Sequence, residues 1–74
     1  MDKEKLFQEA FSKLLDGEAF TMETPLTSLE NWDSLASVDF LGLADENFKR
    51  TLDPMDVRMA VTVGDLFELL VKED

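Results

Sequence analysis

The stretch Asn31-Trp32-Asp33-Ser34-Leu35-Ala36-Ser37-Val38-Asp39-Phe40-Leu41-Gly42-Leu43-Ala44-Asp45-Glu46-Asn47-Phe48 reads as a loop that turns sharply into a helix. Asp33 or Ser34 can cap the first turn, because a short side-chain oxygen accepts from a backbone N–H that lacks an intrahelical partner. Ser34 therefore stands where amides point outward and the helix dipole is positive, a favourable place for a phosphate on its hydroxyl. At about 100° per residue, Val38, Leu41, Ala44 and Phe48 cluster on one side, with Phe40 at its edge, and are the expected core stripe. Leu35, Asp39, Gly42, Leu43 and Glu46 fall on the other side. An apolar strip edged by carboxylates suits docking onto a basic, partly apolar partner.

Working outward, Leu6, Phe7, Ala10, Phe11, Leu14 and Leu15 recur at helical spacing and predict a first helix over residues 2–16, stopped at Gly17. Its other side is polar and of mixed sign, so partner recognition is expected to run through the second helix. From Glu18 to Trp32 neither period occurs. That segment is expected to be a long loop pinned by Phe20, Met22, Leu26 and Leu29, with Thr27-Ser28-Leu29-Glu30 as a capping box for one short turn. Trp32 is expected to pack beneath the loop, since an indole buries a large area.

Beyond Phe48, Asp53-Pro54 announces a short helix reaching Ala60, with Asp as cap and Pro at its first position. Thr62-Val63-Gly64-Asp65 resembles a capping box with Asp in the Glu place, and Val63, Leu66, Phe67, Leu70 and Val71 then mark the last helix. No alternation is long enough to build a sheet. The expected fold is all-α: a small four-helix bundle of three main helices and one short one, a single domain over residues 1–74.

Composition narrows the chemistry. The chain has no Cys and no His, which removes disulfides, thiolate chemistry, His-based metal sites and Ser-His-Asp or Cys-His catalysis. An enzyme is not expected, and neither is a metal site. Seven basic residues stand against 17 acidic ones, a net charge of −10, and no Lys or Arg occurs from Leu14 to Phe48. Nucleic acid is disfavoured, because binding phosphates needs clustered Lys and Arg. No apolar run approaches the roughly 20 residues of a membrane span, and the Lys-Glu-rich start is unlike a signal peptide. A soluble, cytoplasmic monomer is the expectation.

Asp33-Ser34-Leu35 alone is an ordinary helix cap, but its setting is informative. Taken together, the chain resembles the acyl carrier proteins, the small acidic helical bundles that include peptidyl and other thiolation carriers. The resemblance spans nearly the whole length. It rests on the amphipathic first helix, the long loop, Asp33-Ser34-Leu35 opening helix two, and Val38-Asp39-Phe40 where Val-Glu-Leu is common. Asp45-Glu46-Asn47-Phe48 stands where Glu-Glu-x-Phe is usual, followed by Leu52 and by Thr62-Val63-Gly64-Asp65-Leu66. Trp32 before Asp-Ser-Leu and Ala36 after it look like a subgroup of discrete carriers.

The resemblance implies that Ser34 carries 4′-phosphopantetheine, transferred from coenzyme A by a phosphopantetheinyl transferase with magnesium. Acyl or aminoacyl groups would ride on the arm's thiol as thioesters between loading, condensing or transferring enzymes with basic docking surfaces. Asp33, Leu35, Asp39, Asp45 and Glu46 match positions that such carriers offer to partners, and Gly42 and Leu43 complete the expected partner-binding face. Ala36 departs from the acidic residue common there, Gly42 replaces a larger apolar contact residue, and Ala44 and Ala60 are smaller than the usual cavity lining. The competing expectation is a non-covalent acidic helical module that binds a partner without any prosthetic group.

Overall fold

Asp2 opens the first helix: in a computed structural model, which describes residues 2–72, its carboxylate accepts from the Glu4 amide at 3.0 Å. Helix α1 runs Lys3–Leu14, with Asp2 outside as cap. Asp16 (φ 56°) and Gly17 (φ 85°) then take left-handed conformations, so the expected helix end at Asp16 moves back to Leu14. Helix α2 spans Ser34–Phe48, α3 Pro54–Met59 and α4 Val63–Val71. A single 3-10 turn, Leu26–Ser28, interrupts the long loop. The described residues form an all-α bundle with no strand beyond one isolated bridge, Pro25 with Thr62.

An aromatic cluster decides how the helices meet. Phe7 and Phe11 of α1 stack at 5.2 Å, and Phe40 of α2 meets both edge-on, at 6.4 and 5.9 Å. Trp32 closes on Phe11 at 5.7 Å and Phe40 at 6.0 Å, which bears out its expected packing beneath the loop. Phe20 from the loop and Phe67 from α4 complete the cluster against Phe11 and Phe7. Edge-to-face and offset contacts of this kind add about 0.5–1.5 kcal/mol per pair beyond area burial.

This cluster turns α2 away from the face its apolar spacing suggests. Ala36, Phe40, Leu43 and Ala44 are its buried residues, whereas Val38, expected in the core, is 60% exposed. Leu43, expected on the open side, is 8% exposed and belongs to the core. The correction is a rotation of roughly one residue, about 100°. Its cause is that α2 is apolar almost all round, so the largest ring, Phe40, selects the inward direction.

Hydrogen bonds tie the loop down at both ends. The Glu18 carboxylate accepts from the amides of Glu30 and Asn31 at 2.9 and 3.0 Å, and Asn31 Nδ2 donates to the Leu15 carbonyl at 2.8 Å. The expected Thr27–Glu30 capping box does not form. Leu26–Ser28 has no side-chain cap, and the Ser28 hydroxyl donates to the Pro25 carbonyl at 2.7 Å instead. The Thr62–Asp65 box does form, since its two groups are adjacent to a full helical turn. Arg50 donates to the carbonyls of Leu69 and Lys72, joining the end of α2 to the end of α4.

Those two amides hold the Glu18 carboxyl below its usual range, with the Asn31 amide the larger influence. A depressed folded pKa gives stability that is complete above the unfolded carboxylate range and is lost as pH falls through the folded value. Glu18→Gln is therefore expected to be less stable than the native chain near neutrality, with the gap closing as pH falls below the ordinary carboxylate range. Urea unfolding near neutrality and below that range reads this; a gap that stays constant would mean that the contribution is not tied to the ionised carboxylate.

Met22, Thr24 and Leu26 run alongside the entry to α4, through Gly64 N–H to Met22 O at 2.8 Å, Val63 N–H to Thr24 O at 3.0 Å and Leu26 N–H to Val61 O at 2.9 Å. A Cβ at position 64 would lie 2.9 Å from that Met22 carbonyl oxygen. Gly64→Ala must push backbone from backbone, and a cost of about 1–3 kcal/mol is expected. A lowered urea midpoint with unchanged slope is the signature; an unchanged midpoint would show that the loop gives way freely.

Candidate functional site

Asp33, not Ser34, is the cap of α2: its carboxylate accepts from the Ala36 amide at 2.8 Å. The Ser37 amide bonds the Asp33 carbonyl at 3.0 Å. Ser34 is then the first helical residue and exposed, and the amides of Ser34 and Leu35 are those left outside the intrahelical ladder. The local sequence explains this placement. Asp is a stronger cap than a residue already inside the helix, so its oxygen takes the inward amide and leaves the serine hydroxyl free to face outward.

Beside Ser34 lies a small cleft of about 150 Å³ between α2 and α3. Val38 and Leu41 line it from α2; Pro54, Val57 and Arg58 line it from α3. Arg58 thus contributes a positive charge close to the serine. That contribution from α3 was not foreseen, because nothing in a six-residue helix says which neighbour it packs against. The exposed large apolar side chains also gather on these two helices and the segment following α3: Leu35 (71%), Val38, Met55, Met59 and Val61.

The remaining residues of the expected partner face divide. Asp33, Leu35, Asp39, Gly42, Asp45 and Glu46 are exposed, whereas Leu43 is withdrawn into the core as described. Asp39, Gly42, Leu43 and Glu46 line the side of α2 turned toward α1, where Glu9 and Lys13 join them. Helix one is therefore not set apart from that face. Gly42 is helical, and a Cβ built there meets nothing within 4 Å. Glycine at an interior helical position costs about 0.8–1.0 kcal/mol relative to Ala, and the fold offers no packing reason for it.

Among the described residues, no group of three or more acidic side chains is placed to hold a metal ion, and no helix is long and apolar enough to cross a membrane. No protein-family model, curated protein or solved structure matches the chain. The class that the fold of the described residues defines is the small all-α helical bundle.

Proposed function

We propose that the chain is a carrier protein bearing 4′-phosphopantetheine on Ser34, shuttling thioester-bound acyl or aminoacyl groups between enzymes. The observation that carries this reading is the exposed Ser34 at the first position of a helix whose cap is supplied by a different residue. A phosphodiester there would meet the outward amides of Ser34 and Leu35 and the positive end of the α2 dipole. Arg58, across the cleft, adds favourable charge. The arm supplies the thiol that a chain without cysteine lacks.

On this reading the protein orients and presents rather than catalyses. Asp33 holds the helix start, so the attachment point has a defined direction. Leu35, with Asp39, Asp45 and Glu46, supplies an apolar contact edged by negative charge for basic partner enzymes, the transferase first among them. Incubation with coenzyme A, magnesium and a broad-specificity phosphopantetheinyl transferase, followed by intact mass, is expected to show one added arm. An unmodified chain under conditions that load a reference carrier would instead favour the non-covalent module.

A further inference from the structure

The chain reaches Ser34 under a restraint that α2 itself does not supply. Glu18, just past the end of α1, turns its carboxylate onto two successive loop amides, Glu30 N–H at 2.9 Å and Asn31 N–H at 3.0 Å, one on each oxygen. Asn31 answers with its side chain, Nδ2 donating to the Leu15 carbonyl at 2.8 Å. The Asn31 amide, and then that of Glu30, hold the Glu18 carboxyl below its ordinary range, so the ionised form grips the loop near neutrality. Only Trp32 and Asp33 separate this grip from Ser34. Trp32 is fixed by its rings against Phe11 and Phe40, and its amide bonds the Leu29 carbonyl at 3.3 Å. Asp33 must then arrive extended, at φ −133° and ψ −171°, for its carboxylate to meet the Ala36 amide and its carbonyl the Ser37 amide.

We infer that Glu18 is a positioning residue for Ser34: its carboxylate fixes the entry of the loop into α2, and with it the direction in which the Ser34 hydroxyl is offered. Asp33 supplies the cap, but a cap holds only while its own backbone is kept out of the helical conformation. Without the carboxylate, the Glu30 and Asn31 amides turn to water, the chain before Asp33 gains freedom, and α2 frays from its first turn. The consequence for arm transfer rests on the carrier reading. In that transfer Ser34 Oγ bonds to the phosphorus of the phosphopantetheine half of coenzyme A. The bond from that phosphorus to the bridging oxygen breaks, 3′,5′-ADP leaves with the oxygen, and the serine proton passes to a base on the transferase. A misdirected hydroxyl slows this step rather than the docking that precedes it.

The full chain, labelled with ¹⁵N, is compared as native, Glu18→Gln and Gly64→Ala by amide hydrogen exchange near neutrality. Glu18→Gln sets an amide donor against one of the two loop N–H groups. Gly64→Ala is the control, since it strains the same loop at Met22 rather than at the entry to α2. Glu18→Gln is expected to speed exchange of the Ala36 and Ser37 amides about tenfold relative to that of Phe11, buried within α1. Gly64→Ala is expected to leave that ratio unchanged. With coenzyme A, magnesium and a transferase, Glu18→Gln is expected to lower kcat about fivefold at unchanged KM, and Gly64→Ala to alter neither. Should Glu18→Gln not fold, Glu18→Asp, which keeps the charge on a shorter stem, takes its place. Exchange ratios that match in the two variants, or a kcat loss that Gly64→Ala shares, would overturn the positioning role and leave Glu18 a stabilising contact alone. Faster exchange with unchanged kcat would overturn the consequence for transfer. If the native chain takes up no arm where a reference carrier does, the carrier reading fails, and the exchange ratio still decides the role of Glu18.

Discussion

Ser34→Ala is expected to abolish arm transfer completely while leaving the fold in place. The chain has four serines, and their surroundings differ. Ser28 donates to the Pro25 carbonyl and Ser37 to the Ser34 carbonyl at 2.8 Å, each within its own turn. Ser12 is half-buried in α1. Ser34 alone among them is exposed at a helix start, flanked by the capping Asp33 and the open Leu35. Removing its hydroxyl touches no cap, because Asp33 performs that task, so stability is expected to change by less than about 0.5 kcal/mol, as for a surface substitution. Transfer assayed by intact mass, with circular dichroism as the folding control, reads both expectations. An arm still acquired by the variant would move the attachment to another serine and overturn the assignment to Ser34.

Phe40→Ala is expected to remove a large share of the fold's stability. Phe40 is fully buried and touches the rings of Phe7, Phe11 and Trp32, so truncation empties the point where α1, α2 and the loop meet. A buried Phe→Ala change costs about 3–5 kcal/mol. At about 0.05–0.15 kcal/mol per residue, a chain of this length holds roughly 4–11 kcal/mol in all. Val38→Ala is the matched comparison, two residues earlier on the same helix but largely exposed, and is expected to cost no more than about 0.5 kcal/mol. Urea denaturation of the pair measures the orientation of α2 directly. Equal costs for the two substitutions would contradict the packing described here.

The orientation of α2 marks where sequence pattern stops being informative. Helices α1 and α4 announce their buried faces because polar residues interrupt the apolar ones at every turn: Phe7 and Phe11 on one, Val63, Leu66 and Leu70 on the other. The Thr62 cap is equally legible, since a cap is a contact between near neighbours in the chain. In α2, Leu35, Ala36, Val38, Phe40, Leu41, Leu43 and Ala44 encircle the helix, and several rotations satisfy the same spacing. The choice among them was made by rings contributed from α1 and the loop, which no local window contains.

The candidate site divides along the same line. Length, the absence of Cys and His, the acidic balance and the Asp33-Ser34 helix start are local or compositional, and the sequence by itself determined an all-α bundle with an exposed serine opening its central helix. Contacts between residues far apart in the chain were decided only on folding. The Glu18–Asn31 staple joins positions thirteen residues apart, and the Met22–Gly64 contact joins loop to helix with no side chain to advertise it. Arg58 reaches the Ser34 cleft, and Glu9 the α1-facing side of α2 beside Gly42, because α3 and α1 both pack against α2. Periodicity records which residues share a side of one helix; only the packing of the helices together decides which side becomes core, which becomes groove and which stays open to a partner.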